Sequence, residues 1–298
     1  MRARIGDVEG RAPPDRNDEY MFYQMLVGSW PIEMLDGPTA EELGVYQARI
    51  LAALEKSLRE GKQRSSWAAP DIEYEEAMRA LAREAMRPDG GFLASFLPFV
   101  ERVARLGAQN SLVQTALKLT APGVPDLYQG CELWDLSLVD PDNRRAVDYR
   151  KREAELARLA PRLASERDRA ELIESLLRAW GDGRIKLAVT ALVLAFRREH
   201  AELFAEGGYQ PVEVIGEDAR WALGYVRSDR ERRLAVLVAR FPALREAKPD
   251  WRAQAQMPEG EWFDLLRGRP FDSDAPLSEW FGALPLAILT SAAGNPTA

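Results

Sequence analysis

Between Pro122 and Arg150 the chain reads PGVPDLYQGCELWDLSLVDPDNRRAVDYR. Carboxylates stand there at Asp126, Glu132, Asp135, Asp140 and Asp142, with the amides Gln129 and Asn143, the guanidinium pair Arg144 and Arg145, and the rings Tyr128 and Trp134. Such a mixture suits a sugar. Carboxylates and amides take hydroxyls, and Tyr128 or Trp134 can cover the apolar face of a pyranose ring. A plainer reading stands beside it: Asp142 and Asn143 make a turn, and Arg144 and Arg145 pair with nearby acids.

The rest of the composition narrows the chemistry. There is one cysteine, Cys131, so no intrachain disulfide forms and a cysteine-based metal site is excluded. The single histidine, His200, lies in FRREHAELF and reads as a helix-end residue rather than a base. One Cys and one His remove the usual nucleophile–histidine pairs and most zinc sites, leaving carboxylates to carry any chemistry. No cofactor or metal is expected. The 40 basic and 47 acidic residues of the 298 give a net charge of −7, which argues against nucleic acid as a partner. Met1 to Gly10 has no apolar core of a signal peptide. The longest apolar run, Leu187 to Phe196, falls far short of the ~20 residues that span a bilayer. A cytoplasmic protein without a membrane partner is expected.

The elements that must position these residues are mostly helices. A helical pattern ends at Pro122 and a short apolar run, Val124 to Tyr128, reads as a strand. The polar loop then follows, the order found at the working edge of a barrel or open α/β sheet. Upstream, residues 1–19 read as loop, and Tyr20 to Trp30 as a buried helix capped by Asn17 or Asp18. Thr39-x-x-Glu42 is a capping-box pattern opening a helix with Leu51, Leu54 and Leu58 on one face and a Glu55–Arg59 pair on another. Pro70-Asp71 begins a third helix carrying Tyr74, Met78, Leu81 and Ala85. Phe92 to Leu106 and Ser111 to Ala121 read as two helices split at Gly107, with Asn110 as cap. Downstream come a mixed-charge helix after Arg150, another from about Arg167 to Trp180, and an apolar one from Arg184 to His200. From Gly207 the segments become short, β-branched and aromatic: Tyr209–Ile215, Trp221–Arg227, Arg233–Phe241, Glu261–Leu266 and Leu284–Thr290. A boundary near Glu206–Gly208 therefore divides the chain into 1–206 and an antiparallel β domain over 207–298. Residues 293–298 are expected to fray.

PGVPDLYQGCE resembles the last barrel-strand segment of the α-amylase superfamily. The longer ALKLTAPGVPDLYQGCELWDLSLVDPDNRRAVDY is similar to the maltooligosyltrehalose synthase family. So are PPDRNDEYMFYQMLVGSWP, LEKSLREGKQRSSWAAPDIEYE and RIKLAVTALVLAFRREHAELFAEGGYQPV, in family order. DRNDEYxxYQ, SSWxxPxxxYE and LVDPDNRR are the specific signatures. Ala146 stands where a proline is usual, and Ser57-Leu58 replaces an alanine-rich pattern. The resemblance implies α/β plus all-β architecture: the C-terminal part of a (β/α)8 barrel with a helical insertion, then the small β domain. It implies an intramolecular transglucosidase that turns the reducing-end α-1,4 linkage of a maltooligosaccharide into an α,α-1,1 linkage. In such a retaining mechanism one carboxylate attacks, a protonated one releases the glucose, and the glucose turns over and attacks back.

The same resemblance places the family's nucleophile, acid/base and third aspartate upstream of the segment matching Arg2 to Ile5. No catalytic residue can therefore be transferred, and the isolated chain is expected to be inactive. The residues it suggests for substrate binding are Tyr128, Gln129, Asp142, Asn143, Arg144 and Arg145, followed by Lys62 and Trp67 of the polar GKQRSSW loop. For each a structural role competes: Tyr128 as core, Arg144 and Arg145 as ion pairs, Trp67 as a packed helix-end residue, Asp148 as a partner for one of the arginines. Trp221, Trp251, Trp262 and Trp280 read as β-domain core rather than a starch-binding surface. The expected partners are a maltooligosaccharide or α-glucan and the missing N-terminal half of a barrel. The alternatives are a non-catalytic glucan-binding module or a split-enzyme subunit, and a chance mimic, which the lack of a strand over Val124–Tyr128 beside a polar cleft would favour.

Overall fold

A computed structural model describes residues 14–292. The chain forms two compact units. One runs up to Ala104 and takes in Leu136–Ala146; the other comprises Arg105–Asp135 and the chain from Val147 onward. The segment Arg2 to Ile5 and the expected frayed terminus lie outside the described residues, as does most of the N-terminal loop.

The first unit is helical. α1 (Arg16–Ser29) begins one turn earlier than its apolar pattern, because Asp15, not Asn17 or Asp18, is the cap and accepts from the N–H groups of Asn17 and Asp18. α2 (Ala40–Gly61) opens with the expected capping box: the Thr39 hydroxyl accepts from Glu42 N–H, and Glu42 accepts from Thr39 N–H at 2.7 Å. α3 (Ile72–Ala85) is capped by Asp71. Phe22, Leu26, Tyr46, Ile50, Leu54, Met78, Leu81 and Phe96 form the core, each side chain contributing about 1.5–3 kcal/mol when fully buried. Trp30 meets Tyr46 and Phe96 edge-on, both at 5.0 Å between ring centroids.

α4 (Phe92–Thr120) is continuous, where two helices were expected. A Gly in a helix interior costs only about 1 kcal/mol relative to Ala. The buried Val100, Leu112, Ala116 and Leu119 along its length outweigh that cost at Gly107, so Asn110 caps nothing. α4 carries the chain from the first unit into the second.

In the second unit α5 (Tyr149–Ala164), α6 (Glu166–Arg178), α7 (Arg184–Glu199) and α8 (Ala201–Ala205) precede the sheet strands. His200 ends α7 with its ring 4.4 Å from that of Phe196, a helix-end residue as expected. The strands are β1 (Gly208–Val212), β2 (Val214–Ile215), β3 (Ala222–Ser228) and β4 (Arg232–Ala239). After α9 (Pro242–Ala247) come β5 (Gln254–Ala255), β6 (Trp262–Asp264) and β7 (Arg269–Phe271), then α10 (Leu277–Phe281) and β8 (Leu286–Ala292). Six strands pair antiparallel in the order β1-β3-β4-β8-β6-β7, and β2 pairs with β5. β4 shows why both faces are covered. Leu234, Val236 and Val238 join a core with the helical residues Leu119, Ile185 and Val189, whereas Ala235, Leu237 and Ala239 join one with Trp221, Trp251, Trp262 and Trp280. The four tryptophans are buried, as core residues should be.

The sheet begins one residue after the 206/207 boundary read from composition, while the compact units divide elsewhere. The expected strand over Val124–Tyr128 is not formed. A strand is made by its neighbours' hydrogen bonds, and every paired strand among the described residues lies beyond residue 207. Val124 is instead 94% and Tyr128 71% exposed. No described helix is long and apolar enough to cross a membrane.

Candidate functional site

The stretch from Pro122 to Arg150 divides between the two units, and so do the residues expected to bind substrate. Tyr128 and Gln129 belong to the second unit; Lys62, Trp67, Asp142, Asn143, Arg144 and Arg145 belong to the first.

In the first unit the LVDPDNRR motif is held down on α2. Asp142 opens a short 3-10 turn, Asp142–Arg144, and its side chain is 7% exposed. Arg49 grips it with a fork: Nε donates to Oδ1 at 2.9 Å and Nη2 to Oδ2 at 2.9 Å. Nη2 also donates to the Leu136 carbonyl at 3.1 Å, and Leu138 N–H donates to Asp142 Oδ2 at 2.8 Å. Arg145 Nε lies 3.1 Å from Asp142 Oδ1. Burial alone would raise the Asp142 carboxyl. The hydrogen bonds from Arg49 and Leu138 and the charges of Arg49 and Arg145 outweigh it and hold the group below the ordinary aspartate value. Asp140 is clamped likewise, between Lys56 Nζ at 3.1 Å and Arg144. The result is a polar tip, Asn143, Arg144 and Arg145, exposed on a loop whose two acids face inward to α2. The plainer reading of Asp142 and the arginines therefore describes their pairing, and the exposed atoms are what remain for a ligand.

Neither Arg49 nor Lys56 was singled out from sequence. Their seven-residue separation puts both on one stripe of α2, but nothing local marks an acid 93 positions away as the partner of Arg49. Replacing Arg49 with methionine should free the loop. Losing a partly buried charged fork costs about 2 kcal/mol, so hydrogen exchange at Leu138 N–H should quicken about 30-fold. Exchange unchanged within about threefold would show that the loop is held by something else.

The GKQRSSW loop is anchored by a buried acid. Glu75, 1% exposed, accepts from Arg59 Nε and Nη2, both at 2.8 Å, and from the Ser65 hydroxyl at 2.5 Å. Ser65 Oγ in turn accepts from Asp71 N–H at 3.0 Å. Lys62 turns the chain out of α2 in a left-handed conformation, φ 54°. Trp67, 57% exposed, stands with the Arg59 guanidinium 4.8 Å from its ring centroid. It is thus an exposed indole on a rigid base, not the packed helix-end residue that competed with the site reading.

In the second unit the Tyr149 hydroxyl donates to Gln129 Oε1 at 2.9 Å, and Arg152 Nε pairs with Glu132 at 2.9 Å while Nη2 donates to the Gly130 carbonyl. Trp134 Nε1 donates to the Trp180 carbonyl at 2.6 Å. Gly183, at φ +77°, is required beneath it, because a Cβ there would sit 2.8 Å from Trp134 N. Lys186 Nζ donates to the Leu133 carbonyl at 3.3 Å, and burial pulls its ammonium below the usual lysine value. Asp148 has a local role. It caps α5, accepting from Lys151 N–H at 3.0 Å, because it immediately precedes the helix.

No family model matches the chain. A Mycobacterium tuberculosis protein assigned as a maltooligosyl trehalose synthase is 31% identical over 287 residues, which is 96% of this chain and 33% of that protein. The maltooligosyltrehalose synthase of Arthrobacter ramosus superposes with a TM-score of 0.73 at 29% identity, covering 92% of this chain and 32% of that one. A Sulfolobus tokodaii protein described as a maltooligosyl trehalose synthase gives 0.68 at 29%, over 93% and 32%. The chain is thus a relative of the maltooligosyltrehalose synthases along nearly its whole length, and it spans about a third of the length of those it matches. That share is consistent with the C-terminal portion implied by its motifs. A chance mimic does not give such a match, so the missing strand over Val124–Tyr128 does not signal an unrelated protein.

Proposed function

We propose that this chain is the C-terminal portion of a maltooligosyltrehalose synthase, an intramolecular transglucosidase that moves the reducing-end glucose of a maltooligosaccharide from an α-1,4 to an α,α-1,1 linkage. The observation that carries the reading is the match over 96% of the chain to 33% of the relative, with the family signatures in order. In this reading residues 1–206 are the barrel-derived part with its helical insertion and 207–298 the β domain. Asn143, Arg144 and Arg145 present donors and an amide to sugar hydroxyls, Trp67 offers a ring face with Lys62 at the loop's entry, and Tyr128 and Gln129 add a second ring and amide. Asp142 serves by holding the loop.

The acids support an inactive fragment. Retaining transfer needs a free nucleophile and a second carboxyl with a raised pKa, about 5–5.5 Å apart. Glu132, Asp140 and Asp142 are each committed to a cation, and Asp142 is shifted down, the wrong direction for an acid catalyst. The purified 298-residue chain should therefore leave the reducing ends of maltopentaose unchanged; robust loss of reducing ends would overturn this.

A second reading, a subunit that completes a barrel with another polypeptide, is favoured by the exposed, unpaired Val124–Tyr128 segment. Co-expression with a relative's upstream two-thirds should then give co-purification and activity. Failure of both removes the split-enzyme version.

A further inference from the structure

We infer that a cleft in the first unit, on the face of α2 that ends at Arg49, is a further glucan subsite. The inference rests on the glucan-acting reading above and names where more of the oligosaccharide is held. The cleft has a volume of about 300 Å³, at the lower end for small-molecule sites, roughly 300–1,000 Å³. Glu41, Val45 and Arg49 line it at i, i+4 and i+8 spacing along α2, with Glu33 and Met34 of the preceding turn and Arg145 of the LVDPDNRR loop.

Its chemistry is that of a sugar site. Glu33 and Glu41 are exposed carboxylates with no hydrogen-bond or ion-pair partner among the described residues, so their acceptors are available to hydroxyls. Arg145 spends Nε on Asp142 and one Nη2 hydrogen on Ser137 at 3.3 Å, and its side chain stays 56% exposed, leaving donors for ring and hydroxyl oxygens. The same lining includes apolar side chains. Val45, in the second turn of α2, is 63% exposed, and the buried Met34 also lines the cleft. A pyranose presents this pattern in reverse, an apolar face rimmed by hydroxyls. Part of the lining is held in place: α2 carries its own capping box, Arg49 is fixed by its fork to Asp142, and Arg145 shares that carboxylate, so binding mainly orders the Glu33 and Glu41 side chains. Because Arg145 belongs both to this cleft and to the exposed tip of the loop, a glucan bound at the tip continues into the cleft.

Titration calorimetry of the 298-residue chain with maltoheptaose tests this. The parent chain should bind. The double variant Glu33→Gln, Glu41→Gln and the single variant Val45→Glu, all at exposed positions, should each bind about tenfold more weakly at an unchanged melting temperature, the first through weaker hydrogen bonds to hydroxyls and the second through the lost apolar contact. No binding by the parent, or parent-like affinity in either variant, overturns the subsite. So does binding of a lysine-rich peptide in place of maltoheptaose, which would assign the acids to a basic protein segment. If Lys62→Ala and Trp67→Ala weaken binding while the cleft variants do not, the subsite fails and the glucan reading stands. If the cleft binds glucan but the chain neither co-purifies nor gives activity with a relative's upstream two-thirds, the split-enzyme version fails and the subsite stands.

Discussion

Replacing Arg227 with methionine is expected to cost the second unit about 4 kcal/mol of stability, the largest effect of any single substitution proposed for this chain. Arg227 lies in β3 and is 2% exposed. Among the described residues all its hydrogen bonds go to backbone carbonyls. Nε donates to Gly208 at 3.0 Å, Nη1 to Thr120 at 3.4 Å, and Nη2 to Leu203, Phe204 and Gly207 at 3.1, 3.2 and 2.9 Å. Thr120 ends α4, and Leu203 and Phe204 lie in α8, where carbonyls lack intrahelical partners and carry the negative end of the helix dipole. One guanidinium thus satisfies two helix ends and the entry to β1, which is how a buried charge survives without a carboxylate. Burial still pulls it below the usual arginine value. Methionine fills much of the volume and satisfies none of the carbonyls. Each hydrogen bond to a charged donor is worth about 1.5–3 kcal/mol and each orphaned buried acceptor costs about 1–3, shared among coupled partners. The melting temperature should fall by about 10 °C, and hydrogen exchange in β3 and β4 should quicken with it. Arg227→Lys, with one point donor in place of a fork, should lose roughly half as much. A loss under about 1 kcal/mol for the methionine variant would mean the carbonyls find other donors.

Glu75→Gln should cost the first unit about 3 kcal/mol at pH 7, and the loss should depend on acidity in a defined direction. Arg59's hydrogen bonds are the main cause that draws the Glu75 carboxyl down from 4.5 to about 2; burial opposes them, and Ser65 with the charges of Arg59 and Arg79 assists. The native pKa lies below the unfolded one. Glu75 therefore contributes its full stabilisation above the ordinary glutamate value, and that contribution is lost as pH falls from about 4.5 through 2. A shift of this size corresponds to about 3 kcal/mol. The gap between parent and Glu75→Gln in urea should be widest at neutral pH and shrink to less than half by about pH 3. A gap independent of pH would show that the loss is one of packing. Since Arg59 both pairs with Glu75 and underlies Trp67, the variant should also loosen the indole, read as a red shift and quicker quenching of its fluorescence.

Much of the scaffold could be read from local chemistry. Thr39-x-x-Glu42 marked the start of α2, and Asp71 that of α3, because a cap is a bond between neighbours in sequence. Short β-branched and aromatic runs marked β3, β4 and β8, because such side chains pack well on a pleated surface. The short strands β5 and β7 escaped notice; two or three residues carry no period. The motifs named the right neighbourhood for a site, LVDPDNRR and GKQRSSW, but not which of their groups are spent. Asp142 and Asp148 look alike in sequence; one is gripped by Arg49 and the other caps a helix.

By itself the sequence showed that this stretch of chain holds one histidine and one cysteine, where α2 and α3 start, and which family its motifs resemble. Those follow from residue counts and from contacts within a few positions. The tertiary structure alone decided that α4 runs unbroken through Gly107 and that Val124–Tyr128 forms no strand. It also decided which acids face cations and which, Glu33 and Glu41 among them, have no such partner among the described residues. Each of these depends on partners distant in the chain: a buried stripe to offset a glycine, a neighbouring strand to complete a ladder, an arginine 93 residues away to hold an aspartate. Such partners leave no local mark, because hydrogen bonds and ion pairs are decided by distance in space.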